Sequence, residues 1–154
     1  MLDLIFLLVL IVVTLGIAGY LRTLQIEQSP QQTIFAKGKV PKELPDGLYR
    51  GSSEGYGGSW HGKKFNRELA TGINLFKAKE TVQEKYAFKT YVGKGLKDTI
   101  QVIKIDYNLP NNPFWLRLIL DEVVEVEPGK YLGKLHVNIV PGMPFTLAFF
   151  ELNK

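Results

Sequence analysis

At 154 residues the chain has room for one ordinary domain and an anchor, and too little for two domains of usual size. It contains no Cys and two His, which excludes a disulfide framework, a cysteine nucleophile and a thiolate metal site, and leaves too few imidazoles for a histidine-built metal centre. With 45% hydrophobic residues and a net charge of +4 it is too apolar for disorder and only mildly basic. No metal and no cofactor are expected.

The first element is an uncharged run from Leu4 to Leu21, LIFLLVLIVVTLGIAGYL. As a helix it reaches roughly 27 Å, about one hydrocarbon core. Thirteen of its residues are Leu, Ile, Phe or Val, a summed insertion preference of roughly −4 to −8 kcal/mol. β-Branched residues lower helicity in water, but in lipid the helix alone satisfies the backbone of a single segment. A cleaved signal peptide carries Lys or Arg ahead of its apolar core, whereas here only Asp3 and the amino terminus precede it. Residues 1–21 are therefore expected to be a retained, single-pass transmembrane anchor. Arg22, Lys37, Lys39 and Lys42 follow the span and no basic side chain precedes it, so the positive-inside rule places the C-terminal domain on the cytoplasmic side.

Residues 22–45 are polar, with Gln25, Gln28, Gln31 and Gln32, and are punctuated by Pro30, Pro41 and Pro45. Their first turns can continue the helix; the rest reads as a spacer or an edge segment. The domain proper occupies 46–154. Turn signals recur at Gly55-Tyr56-Gly57-Gly58, Gly93-Lys94-Gly95, Asn108 to Pro113, Glu127 to Lys130 and Pro141 to Pro144. Pro128-Gly129 suits the centre of a type II turn, where proline sets φ and glycine takes φ > 0.

Strands are expected at 47–52, 59–67, 70–77, 85–92, 98–107, 114–126 (with a break at Asp121-Glu122), 131–140 and 144–152. The clearest alternates Tyr131, Gly133, Leu135, Val137 and Ile139 on one face with Lys134, His136 and Asn138 on the other, which predicts a half-buried strand with its polar row in solvent. About eight short antiparallel strands favour an up-and-down β-barrel or a compact sandwich. A barrel of eight is filled by side chains or holds one small ligand.

Gly58-Ser59-Trp60-His61-Gly62-Lys63-Lys64-Phe65 carries a Gly-x-Trp like that of lipocalin first strands, and its W-H-G-K-K-F resembles the W-x-G-K-x-F element of the uncharacterised GXWXG-type barrel family. The likeness continues through Pro45-Asp46-Gly47, Tyr49-Arg50-Gly51, Tyr107, Phe114, Arg117, Asp121, Tyr131 to Lys134 and Phe149 to Leu152. In that family Asp follows the Tyr; here Asn108 stands there. The resemblance implies a lipocalin-like (calycin) barrel, and no activity with it.

Candidate chemistry is sparse. Gly51-Ser52-Ser53-Glu54-Gly55 matches G-x-S-x-G, but a nucleophile elbow needs a helix behind it and here a glycine-rich turn and another strand follow. Imidazole is the side chain suited to acid–base work near neutrality, but His61 and His136 both read as surface residues. Asp121, Glu122, Glu125 and Glu127 read as an exposed acidic ribbon paired across strands with Lys130 and Lys134. Asp106, among Ile103, Ile105 and Tyr107, is expected to need a buried partner, and Arg117 is the one at hand. Lys63, Lys64 and Arg67 beside Trp60 and Phe65 have the interleaving of a single-strand binder, but in an anchored protein of slight excess charge they are expected to face lipid headgroups rather than nucleic acid.

Two classes of function fit. One is a membrane-anchored module that binds or shelters a hydrophobic small molecule such as a lipid, isoprenoid or pigment. Its pocket is drawn from Trp60, Phe65, Phe76, Tyr86, Phe88, Tyr107 and Trp115, with Arg117 as polar contact. The other is an isomerase, cyclase or hydrolase on a hydrophobic substrate, working through Asp106, Tyr107 or His61. A solidly packed scaffold domain is a third reading, distinguished by a lumen with no cavity above about 300 Å³.

Overall fold

In a computed structural model that describes residues 2–53, 58–140 and 142–154, the chain is an eight-stranded antiparallel barrel with two N-terminal helices. The turn at 55–58 and Glu54-Gly55 of the G-x-S-x-G string lie largely outside the described residues, as does Pro141.

Helix α1 runs from Leu2 to Glu27 and α2 from Pro30 to Lys37. The strands are β1 (Gly47–Ser52), β2 (Trp60–Asn66), β3 (Thr71–Ala78), β4 (Thr81–Lys94), β5 (Gln101–Asp106), β6 (Ile119–Glu127), β7 (Lys130–Val140) and β8 (Met143–Asn153), each paired with the next, and β8 closes on β1. Closure removes the exposed edges that an open sheet of eight would leave. In this up-and-down order the β1–β2, β3–β4, β5–β6 and β7–β8 connections share one end, here the upper end; the other turns share the lower end.

The break expected at Asp121-Glu122 does not occur: β6 is continuous from Ile119 to Glu127 and paired on both sides there. The first residues of the expected 114–126 strand instead belong to the β5–β6 loop, which ends in a 3₁₀ turn at Leu116–Leu118. The β6–β7 turn forms as predicted, with Gly129 at φ +74°. The lower half of the lumen is solid: Tyr49, Phe65, Phe88 and Tyr131 meet edge to face at 5.4–5.5 Å, the geometry that ring quadrupoles favour.

Helix α1 is long and apolar enough to cross a membrane, and none of its most apolar stretch is buried against the barrel. Its last turns dock on β8: Arg22 Nε donates to Leu147 O (2.8 Å), and Thr146 N donates to Thr23 Oγ1 (2.9 Å). These bonds take up backbone groups that β1, which pairs β8 only from Glu151 to Asn153, does not reach. The segment expected to be a spacer or an edge segment lies along the barrel wall, as a short helix followed by one antiparallel bridge to β6. Phe35 of α2 is buried against Val102, Val124 and Leu132, and Lys39 bridges to Glu125.

This outer layer overturns two expectations. Lys134 and His136 stand on the outward face of β7 as the alternation predicts, but they are fully buried rather than solvated. Glu122 is buried too, outward on β6, so the acidic ribbon is reduced to Glu125 and Glu127. The buried groups pair with one another. Glu122 Oε2 meets His136 Nε2 (3.2 Å), His136 Nδ1 meets Thr146 Oγ1 (3.0 Å), and Glu122 Oε1 accepts from Lys104 Nζ (3.1 Å) and Leu96 N (2.7 Å). Lys134 pairs with Asp98, which also accepts from Gln32 Nε2 (2.6 Å).

Burial works to raise the Glu122 carboxyl, but the His136 bond and charge, the Leu96 amide and Lys104 together bring it below its ordinary 4.5. A carboxylate depressed in the folded state contributes stability that is complete above pH 4.5 and is lost as pH falls through its lowered value. Glu122→Gln is therefore expected to destabilise the full chain by about 3 kcal/mol at neutral pH. Urea unfolding in detergent should show that gap narrowing steadily below pH 4.5; a gap that is flat with pH excludes the assignment.

Candidate binding cavity

The upper half of the lumen is hollow. A cavity of about 390 Å³ opens at the upper end, walled by Trp60, Phe76, Tyr86, Trp115, Leu116, Ile119, Leu135 and Phe150, with Lys63, Asn74, Tyr107 and Asp121 at its base. That volume is in the range of small-molecule pockets, and its make-up, apolar walls with a few convergent polar groups, is theirs as well.

Two backbone irregularities aim the walls. Between Trp60 and Gly62 the β2–β3 register slips, and Gly62 takes φ +131°. Strict alternation would set Trp60 and Lys63 on opposite faces; the bulge turns both inward, where each bonds Asn74 Oδ1, Trp60 from Nε1 at 3.1 Å and Lys63 from Nζ at 2.9 Å. On β4 the register slips opposite Ile73 and Asn74, and Tyr86 holds φ +64°, an uncommon conformation for an aromatic residue. Its ring meets Phe76 at 5.6 Å and Trp115 at 6.0 Å, both edge to face.

The base is a closed polar knot. Lys63 Nζ donates to Asp121 Oδ2 (3.1 Å) and bonds the Tyr107 hydroxyl, while Asn74 Nδ2 donates to Tyr107 Oη (3.1 Å) and to Tyr86 O (3.1 Å). Both charged partners are almost wholly buried, with side chains 3% and 4% exposed. Burial lowers the Lys63 amine against the pull of Asp121, and burial followed by the Asp121 charge pushes the Tyr107 phenol well above its usual range. Lys63 also lies 5.1–5.5 Å from the ring centres of Trp60, Phe88, Tyr107 and Phe150, which helps to hold a cation away from water. Asp121 Oδ1 is buried with no hydrogen-bond partner among the described residues.

Of the residues expected to bind a ligand, Trp60, Phe76, Tyr86, Tyr107 and Trp115 line this cavity. Phe65 and Phe88 lie below it in the solid half. Arg117 is exposed outside it, its Nε donating to Asn108 Oδ1 at 3.0 Å. The expected Asp106–Arg117 pair does not form. Ile103, Ile105 and Tyr107 take the inward positions, so Asp106 points outward, to Lys89 at 3.4 Å and the Asn108 amide at 2.8 Å. Lys63, grouped above with surface bases, and Asp121, grouped with the acidic ribbon, are the two charges that belong to the site. His61 is not among the lining residues; Ser53 lines the cavity and donates to Phe149 O at 3.2 Å, and the next described element after it is strand β2. No group of His, Cys, Asp and Glu among the described residues has the arrangement of a metal site.

Compared with protein-family models, with curated proteins and with solved structures, the chain matches none.

Proposed function

We propose that this is a membrane-anchored, lipocalin-like binding module whose barrel holds an amphiphilic small molecule: an apolar body against the aromatic walls and a hydrogen-bond donor, such as a hydroxyl, at the base. The observation that carries the reading is the cavity of about 390 Å³ ending on a buried Lys63–Asp121–Tyr107–Asn74 cluster. An apolar ligand gains by leaving water for aromatic walls. Asp121 Oδ1 leaves one acceptor in the cluster to be met by a donor. A scaffold domain needs no such hollow. Catalysis by Asp106 is disfavoured by its outward position, which leaves Tyr107 alone of the three acid–base candidates at the cavity base.

The chain's two tryptophans, Trp60 and Trp115, both line the cavity, so intrinsic fluorescence reports on it directly. Titrating the full chain in nanodiscs with a medium-chain alcohol is expected to change that fluorescence saturably, at lower concentration than the matching alkane. Ala148→Leu, which fills the cavity from β8, should remove the response. Organic extracts of the purified protein should yield a lipophile by mass spectrometry. An empty extract together with unresponsive tryptophans overturns the reading.

A further inference from the structure

We propose that the upper end of the barrel is seated in the surface of the bilayer that holds α1, so that the cavity opens onto lipid and not onto water. The partner is the lipid leaflet itself. The exchange of a ligand rests on the reading just given; the seating of the rim does not.

The geometry follows from how α1 is fastened. Gly19 lies against the Phe145 ring, with a hypothetical Cβ 3.1 Å from it; Arg22 bonds Leu147 and Thr23 bonds Thr146. Residue numbers rise together along the two elements, so α1 runs in the same sense as β8, from the upper end downward. The helix before Gly19 therefore runs up along the first residues of β8 and on past its start. Residues 4–18 extend roughly 22 Å in that direction, and the large apolar side chains among them are exposed. A helix held this way places its membrane above the upper end, the end at which the cavity opens.

The level of the boundary can be read as well. The uncharged run of α1 ends at Leu21, beside the Phe145–Leu147 stretch of β8. Met143 lies two residues above Phe145, about 7 Å along an extended strand. The β7–β8 hairpin tip thus reaches the depth of the apolar helix. Its composition agrees: Ile139 is 60% exposed and Met143 62%, with Val140 also exposed. On the same end the β5–β6 loop presents Phe114 (75% exposed) and Trp115 (57%). Leu48 and Leu69 are exposed toward the lower end, but only the upper end sets its exposed apolar groups beside the apolar helix. That marks it as the interaction surface, and Trp beside such groups suits the headgroup–acyl boundary. Trp115 serves both the rim and the cavity wall, so cavity and bilayer meet at one side chain.

Depth-dependent quenching tests the seating. Single-tryptophan versions of the full chain are prepared in phosphatidylcholine nanodiscs with spin labels at the headgroup or along the acyl chain. Trp60→Phe leaves Trp115 as the upper reporter. A chain lacking both tryptophans, carrying Met143→Trp or Glu127→Trp, supplies a second upper reporter and one at the lower end; circular dichroism confirms the β-barrel signal in each. Both upper reporters are expected to be quenched by shallow lipid labels and protected several-fold from acrylamide, relative to the Glu127→Trp reporter. Upper reporters as open to acrylamide as the lower one, and indifferent to lipid labels, overturn the proposal. Rim quenching without any bound lipophile retains the seating and refutes the binding reading; a bound lipophile with a water-exposed rim does the reverse.

Discussion

Lys63→Met is expected to destabilise the full chain by about 3–5 kcal/mol, Asp121→Leu by a similar amount, and the double variant by far less than their sum. The reason lies in what each change leaves behind. Lys63 and Asp121 are joined at 3.1 Å with side chains 3% and 4% exposed, so removal of either strands the other's charge in a nearly dry site. The aromatic rings around Lys63 offset part of its desolvation and do nothing for Asp121, whose partners among the described residues are Lys63 and Tyr107. Exchange of both for apolar residues removes the desolvation of both, and such replacements are often neutral. Urea unfolding of the two single variants and the double in the same detergent closes the cycle. Additivity within about 0.5 kcal/mol excludes the buried pair as an energetic unit. The double variant also separates structure from use: it should fold, and it should lose the preference for an alcohol over an alkane.

The cluster is thus a weak source of net stability, and on the proposed binding reading its role is discrimination between ligands. Its charges are already half satisfied by the protein, so an apolar ligand without a donor meets a base that gives it nothing. A ligand carrying one completes the bonding of a buried acceptor, where an unmade hydrogen bond costs about 1–3 kcal/mol.

What could be read before the structure, and what could not, follows from where burial comes from. The strand order was legible because Gly- and Pro-rich turns separate alternating runs, and because Tyr131–Ile139 carries one-sided alternation. The inward face of that strand was legible for the same reason. The fate of its outward face was not, since His136 and Lys134 are covered by helices whose docking is a long-range event. The same cover hid Asp121. In Ile119-Leu120-Asp121-Glu122-Val123-Val124 both faces carry apolar residues, because the outer one packs on Phe35. Period two then gives no sign of which carboxylate is inside.

Helix α2 was missed because the only one of its side chains in the buried cluster is Phe35, set among glutamines and prolines. Phe65 gave the clearest pointer to Lys63: it shares its parity on β2, and an aromatic so placed faces a core. The aromatic walls, by contrast, were visible in composition alone.

Gly62→Ala is expected to lose more than about 3 kcal/mol, or to prevent folding, and where it folds to turn Trp60 out of the cavity. The residue stands at φ +131°, outside the region open to L-residues, and a Cβ there would overlap the Tyr49 carbonyl and the Gly51 amide on β1. Backbone of a neighbouring strand cannot swing aside as a side chain can. β2 would have to give up its bulge or its pairing with β1, where Gly62 sits opposite Arg50. Loss of the bulge restores strict alternation, and Trp60 can no longer share Asn74 with Lys63. Gly47→Ala supplies the comparison. It too has a positive φ, +83°, but open space around it, so it carries only the conformational strain, about 1 kcal/mol. Thermal unfolding ranks the two, and tryptophan emission places Trp60. If Gly62→Ala behaves like Gly47→Ala and keeps native emission, the bulge is not what turns that indole inward, and the upper cavity owes its shape to something other than the W-H-G-K string.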